Sequence, residues 1–323
     1  MSILVTGGAG YIGSHCAKVL LEQGEDVVII DNLSRGHREA VLGGRFYAGD
    51  LSDAAFIEEV FQKESISAII HFAALSLVGE SVKHPEMYFR NNVCAGLNLI
   101  EAALKYGKPD IVFSSSAAVY GEPERVPIEE DDPQSPTSPY GESKRMVERV
   151  LFWCAKAHGL RFAALRYFNV AGAVADGSIG EAHTPETHLI PAILLAARAG
   201  EPVKLFGTDY PTKDGSCIRD YIHVEDLIDA HILALEYLKN GGESTAFNLG
   251  NGTGFSNLEI IHAAREVTGL DIQVQNEPRR AGDPAVLVAS SQKAEDILGW
   301  RPKYTDIRDI IKTAWNWNVN REF

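Results

Sequence analysis

The chain has 323 residues, 45% of them hydrophobic, with 30 Lys and Arg against 44 Asp and Glu and a formal net charge of −14. That length supports a large buried core and two lobes, while the acidic excess argues against a nucleic-acid partner, which needs a basic face. No apolar run approaches a membrane span and mean hydropathy is −0.08, so no membrane insertion is expected.

The opening MSILVTGG carries neither a charged leader nor an apolar stretch of signal type, so no signal peptide is expected. Short β-branched runs at 3–5, 27–31, 45–48, 68–72, 111–115 and 162–167 are near-continuously apolar, the mark of parallel strands buried on both faces. Between them, helical spacing covers 11–23 before Gly24, 85–106 before Gly107, and 139–157 before Gly159, with Pro suited to a first turn and Gly to a helix end. Beyond Asn169 the texture changes: 171–187 reads as loop, 185–198 as helix, 203–206 as strand and 207–215 as a loop over a site,. A helix over 225–239 and a strand over 246–249 return to the main sheet. Ser256 and Glu259 form a capping box ahead of a helix ending near Val267, and a last helix starts at Thr305,. Cys16, Cys94, Cys154 and Cys217 lie far apart, which points to a reducing cytoplasm. The ten histidines show no HxxxH or HExxH spacing, so no metal is expected.

Residues 3–13, ILVTGGAGYIG, run strand, glycine turn, helix. Gly7, Gly10 and Gly13 allow positive φ, close approach of backbone to a pyrophosphate, and tight packing of helix on strand. The helix N-terminus then receives the negative charge. Asp31 ends the second strand 18 residues after Gly13, where a carboxylate binds ribose hydroxyls and repels a 2′-phosphate. NAD is therefore expected over NADP, with Arg35 and Arg38 nearby as the counter-argument. Asp50 could hold the adenine amino group or cap the helix that follows. The expected fold class is α/β, a Rossmann-type doubly wound parallel sheet with a smaller mixed α/β lobe.

Tyr140 and Lys144 stand four positions apart near the start of the 139–157 helix, on one face. Ser116 follows the fifth strand, at the sheet edge where ligands of parallel α/β folds bind. A free phenol has a pKa of about 10 and is a poor base at neutral pH; a cation about 5 Å away at an effective dielectric near 20 is worth roughly 3 kcal/mol, or about two pKa units. Lys144, with the positive nicotinamide of an oxidised cofactor, is expected to bring Tyr140 towards its working range, so that it takes a substrate hydroxyl proton while Ser116 holds the same oxygen.

GGAGYIG, the serine-ended strand and YGESK, together with HFAAL, ESV, NNV, SSSAAVYG, LRYFNVAGA, FGTDYPTKDGSCIRDYIHVEDL and RRAGDPA, resemble the extended short-chain dehydrogenase/reductase family of nucleotide-sugar enzymes, and within it the UDP-glucose 4-epimerase branch. The similarity spans almost the whole chain. It implies a catalytic set of Ser116, Tyr140 and Lys144. The cofactor residues it implies are Gly7, Gly10, Tyr11, Ile12, Gly13, Asp31, Asn32, Asp50, Leu51, Phe72, Ala73, Ala74, Ser76, Asn91, Ser114, Tyr140, Lys144 and Phe168. NAD bound throughout the cycle, a homodimer packed through the 85 and 139 helices, and a cytoplasmic location are further implications. Residues 1–172, with 221–250 returning, form the expected NAD-binding domain, and 173–220 with 251–323 the UDP-sugar-binding lobe.

Related dehydratases carry Asp–Glu directly after the hydroxyl residue, and related decarboxylases keep an acid there. This chain has Ala117 and Ala118, which transfer no protons. The remaining chemistry is 4-epimerisation of UDP-glucose and UDP-galactose: oxidation at carbon 4, rotation of the 4-keto sugar, and reduction from the other face. Arg219 and Arg280 are the candidates for the diphosphate, through bidentate guanidinium bonds. By resemblance Ser116, Tyr140, Asn169, His188 and Leu189 also contact substrate, with Lys204 and Phe206 beside the uracil and Asp283 on the ribose. His188 stands where relatives have an asparagine, and reads equally as a polar helix start. Ser76 replaces a lysine that grips the cofactor in many members, and Leu287 is expected to leave room for an acetamido group. Alternatives are the same mechanism on another UDP-sugar, a net reductase, and a non-catalytic dinucleotide-sensing regulator.

Overall fold

The computed structural model describes residues 1–280, 284–321 and 323; Asp283 lies outside the described residues. The first half builds β1 (Ser2–Thr6), α1 (Tyr11–Glu22), β2 (Val27–Asp31), β3 (Arg45–Ala48), α2 (Ala54–Lys63), β4 (Ile66–His71), α3 (Val78–Lys83), α4 (Pro85–Tyr88), α5 (Ala95–Lys105), β5 (Asp110–Ser114) and α6 (Pro139–His158). There follow β6 (Phe162–Tyr167), β7 (Asn169–Ala171), α7 (Leu189–Ala199), β8 (Val203–Phe206), β9 (Ile218–Arg219), β10 (Tyr221–His223), α8 (Val224–Lys239) and β11 (Thr245–Leu249). The tail holds β12 (Phe255–Ser256), α9 (Asn257–Thr268), β13 (Val274–Glu277), β14 (Val286–Leu287), α10 (Gln292–Leu298) and α11 (Ile307–Asn320).

Seven strands form one sheet in the order β11-β6-β5-β4-β1-β2-β3, every pair parallel. It is the Rossmann-type doubly wound sheet expected of the sequence, and β11 joins its edge. Strand order reverses between β1 and β4, so the crevice at their carboxyl ends is the ligand position of such sheets. Ile3, Val5, Ile29 and Ile70 face one core with Leu20, Leu227 and Leu235 of α1 and α8. Leu4, Val28, Ile30 and Ile69 face the other, with Ile57, Leu99, Val147 and Leu151 of α2, α5 and α6. A third core joins α7, α9 and α11 through Ile193, Leu194, Ile260, Ile261, Ile310 and Ile311. Small pairs, β8 with β13 and β9 with β12 and β14, lie beside it.

Local chemistry sets the helix ends. Ser138 caps α6 by accepting the Gly141 N–H at 3.1 Å, Pro139 opens it, and Gly159 closes it at φ 71°. The Ser256–Glu259 capping box is present, with Gly269 at φ 70° after α9. Several expected boundaries shift. The helix of 185–198 begins instead at Leu189, because the Thr187 and His188 amides bond the Glu186 carboxylate at 2.6 and 2.7 Å. The last helix is capped by Asp306 rather than Thr305, its side chain accepting the Arg308 N–H at 2.9 Å. Residues 89–94 of the continuous 85–106 pattern wind as π-helix. The strand of 68–72 runs 66–71.

Candidate active site

The glycine turn closes tightly at the reversal point. A Cβ on Gly7, which sits at φ 72°, would stand 2.7 Å from the Ala73 nitrogen, and one on Gly13 would stand 2.1 Å from the Gly7 carbonyl oxygen. Gly10 caps α1 without a side chain, so the first-turn amides of Tyr11, Ile12 and Gly13 have no intrahelical acceptor, the arrangement that receives an anion in such turns. The opposite wall is the end of β4: the Phe72 and Ala73 amides both reach the Thr6 carbonyl at 3.1 Å, and the Phe72 ring lies 4.7 Å from that of His231.

Asp31 is 8% exposed and takes the Ala9 amide at 3.0 Å and the Leu33 amide at 2.8 Å, fixing the turn to β2. Burial raises its carboxyl pKa against these amide bonds. Asp50 accepts from Asn32 Nδ2 at 2.7 Å and from the Ser52 amide at 2.7 Å. The cap of α2 is Asp53, which takes the Ala55 and Phe56 amides, so the capping reading of Asp50 is corrected. Leu51 next to it is buried. Arg35 pairs with Glu80 at 2.9 Å and Arg38 lies over the Phe46 ring at 4.6 Å.

Along β5 and α6 the hydroxyl, phenol and ammonium converge. Ser116 Oγ accepts the Ala118 amide at 3.1 Å and stands close enough to the Tyr140 phenol to favour its ionised form. Lys144, 3% exposed, donates to the Ser114 carbonyl at 2.7 Å, and its Nζ lies 5.9 Å from the Tyr140 ring centre and 5.0 Å from that of Phe113. The Ser114 hydroxyl bonds Tyr167. Burial works against both ionised forms. It lowers the Lys144 ammonium to about 7, opposed by the Glu148 charge one turn on, and raises the Tyr140 phenol above 10.0, opposed by Ser116. The expectation that Lys144 lowers Tyr140 omitted this shared desolvation, which dominates in the protein by itself.

Two groups that sequence reasoning missed hold this set. Asn92 takes the Leu75 amide at 2.8 Å and donates to Leu75 O at 3.0 Å and Ser143 Oγ at 2.9 Å, tying the loop of Ala74 and the exposed Ser76 to α6 beside the half-buried Asn91. Glu148 meets Arg166 at 2.6 Å with both side chains under 10% exposed, and also bonds Ser115. The only signal in sequence was a lone carboxylate on the inner helix face.

The second lobe supplies further groups. Asn169 reaches the Asp220 carbonyl at 3.2 Å. Arg219 pairs in register with Leu287 across β9 and β14; Leu287 and Phe168 both pack on Ala117, Val119 and Tyr120 after Ser116. Arg280 lies over the Phe206 ring at 3.9 Å, one strand edge from the exposed Lys204. His188 stands at the N-cap position of α7 before Leu189, without capping it by side chain, and turns Nδ1 onto Glu181. Asp220, also missed, receives the Asn251, Gly252 and Ala289 amides at 2.7, 3.2 and 3.1 Å, and burial raises it to about 6.

A doubly wound sheet whose glycine turn, buried carboxylate at the end of β2 and buried hydroxyl–phenol–ammonium set share one crevice is the architecture of a dinucleotide-dependent enzyme,. The family model described as the NAD dependent epimerase/dehydratase family matches residues 3–250. The chain is 59% identical over 322 residues to a UDP-glucose 4-epimerase of Lacticaseibacillus casei, covering 99% of this chain and 97% of the relative. A UDP-glucose 4-epimerase of Brucella ovis solved in complex with NAD is 48% identical with a TM-score of 0.95, covering 97% of each chain. The Bifidobacterium longum UDP-glucose 4-epimerase, solved with NAD+ and UDP, is 37% identical with a TM-score of 0.94, covering 99% of each. The chain belongs to the NAD dependent epimerase/dehydratase family.

Proposed function

We propose that this enzyme interconverts UDP-glucose and UDP-galactose by NAD-dependent epimerisation at carbon 4. The carrying observation is the Ser116–Tyr140–Lys144 set at the sheet's carboxyl edge, followed by Ala117 and Ala118 where an acid would be needed for elimination. The cradle fits NAD: Gly7 and Gly13 leave no room for a Cβ, Gly10 places no side-chain cap over the first-turn amides, Asp31 is set for ribose hydroxyls, and Arg35 and Arg38 are engaged elsewhere. Held there, NAD would supply a hydride acceptor and donor for carbon 4.

Tyr140 takes the carbon-4 hydroxyl proton and gives it back after the sugar turns; Ser116 holds that oxygen in both directions. Lys144, its Nζ 5.9 Å from the phenol ring centre, favours the phenolate in its charged form, against the burial that lowers it to about 7,. Arg219, Arg280 and Asn169 grip the diphosphate, Lys204 and Phe206 flank the uracil, and Leu287 leaves space at the hexosyl 2-position. His188, Leu189 and Asp283 complete the substrate set, and the other cofactor positions are those of the glycine turn, Asn32–Leu51 and the Phe72–Ser76 wall. Residues 1–172 with 221–250 carry the cofactor, and 173–220 with 251–323 the UDP-sugar.

We further infer a homodimer in the cytoplasm. Met146, Trp153, Phe152 and Leu97 on the outer faces of α6 and α5 are all at least 36% exposed, an apolar patch that a second copy would cover; the four cysteines are free thiols. No helix among the described residues is long and apolar enough to cross a membrane. The test is to incubate the purified protein with UDP-galactose, without added reductant, and identify products by NMR. UDP-glucose should form with no net change in nicotinamide absorbance; a requirement for added reduced cofactor would instead indicate a net reductase.

A further inference from the structure

Ahead of α7 the loop gathers four ligating groups outside the glycine cradle and the Ser–Tyr–Lys set, of which His188 alone also belongs to the proposed substrate set. Glu181 and Glu186 have side chains only 6% exposed, while His183 and His188 lie at 24% and 42%. Glu181 Oε1 is 3.1 Å from His183 Nδ1 and in contact with His188 Nδ1. Glu186 reaches His183 at 3.7 Å through Oε2 and His188 at 3.8 Å through Oε1. All four donor atoms fall within 4.8 Å of one another.

A tetrahedral ion with bonds of about 2.0–2.1 Å holds its ligand atoms about 3.3 Å apart, the scale of these separations. Buried carboxylates need compensating charge, and two protons on the rings or one divalent ion would supply it. His183 Nδ1 is sealed from solvent without a well-aligned hydrogen bond and faces the Glu181 carboxylate at 3.1 Å, so either a ring proton or a bound ion satisfies both groups. The frame is fixed from outside: Trp317 Nε1 donates to the Glu181 carbonyl at 3.0 Å and His37 Nε2 meets the Ala182 carbonyl at 2.7 Å.

We propose that Glu181, His183, Glu186 and His188 bind one divalent transition-metal ion of the zinc class. Imidazole donors select that class over magnesium or calcium, and four protein ligands make the site structural rather than hydrolytic. The spacing 181, 183, 186, 188 is not that of a helical zinc motif, because the ligands come from a loop. The ion staples this loop to the start of α7. Ligation through Nδ1 fixes the His188 tautomer, leaving its proton on Nε2.

The experiment is a zinc titration of the chelator-treated, NAD-retaining protein by calorimetry, alongside His183→Ala and Glu186→Gln, with circular dichroism to confirm folding. Wild type should take up about one ion per chain, and each variant should bind at least about tenfold more weakly. No uptake by folded wild type, or unchanged affinity in either variant, overturns the site. Should a variant fail to fold, Co2+ loaded into the unaltered chain decides. An intense tetrahedral visible spectrum upholds the site, and a weak octahedral one refutes it. Epimerase activity is a separate readout, so failure here leaves the carbon-4 chemistry standing.

Discussion

At the residue scale the chemistry turns on ionisable groups held out of water. Lys144 is lowered from 10.5 to about 7 by burial. The unfolded chain keeps that proton up to the ordinary value while the folded chain releases it near 7, so between these limits the unfolded state binds more protons and stability rises with pH. One such group contributes a slope of at most about 1.4 kcal/mol per pH unit. Urea unfolding at several alkaline pH values should show a steeper rise for wild type than for Lys144→Met; equal slopes would mean that Lys144 is not desolvated. The Tyr–Lys pair and the glycines were legible in sequence because each motif is contiguous and its geometry follows from one turn of helix. The burial shared by Tyr140 and Lys144 was not, since it depends on Phe113 from β5 and Glu148 within the packed core.

At the element scale, α6 is the organising helix. It carries Tyr140 and Lys144 towards the crevice and, one turn further, Glu148 onto Arg166 of β6. Arg166 also donates to the Tyr120 hydroxyl at 2.7 Å and the Glu130 carbonyl at 3.1 Å, so this buried pair links α6, β6 and the chain beyond Ser116. Glu148→Gln leaves a guanidinium without its counter-charge and should cost about 3–5 kcal/mol, whereas Glu148→Leu with Arg166→Met should recover much of the loss. Chemical denaturation of the three proteins measures this, and an undiminished Glu148→Gln would show the pair to be incidental. The main strands and helices were readable from apolar runs, caps and glycine stops. The two-residue strands Ile218–Arg219, Phe255–Ser256 and Val286–Leu287 were not. They exist only because residues distant in sequence pair across the second lobe, and no local period marks them.

At the scale of the whole molecule, the crevice opens where sheet order reverses, and the lobe of α7, α9 and α11 stands beside it. The apolar outer face of α6 belongs to this scale too: Trp153 is 57% exposed, and if the proposed dimer forms through it, Trp153→Glu should sediment as a smaller species than wild type, whereas equal sedimentation of the two would place the interface elsewhere. In the proposed reaction the phenol of Tyr140 is the group that moves the carbon-4 hydroxyl proton. The most direct measurement is turnover of UDP-galactose by Tyr140→Phe with its NAD content determined on the same sample. The account predicts a loss of about a hundred- to ten-thousand-fold in kcat with the cofactor still bound, and undiminished turnover by that folded, NAD-bearing variant would contradict it.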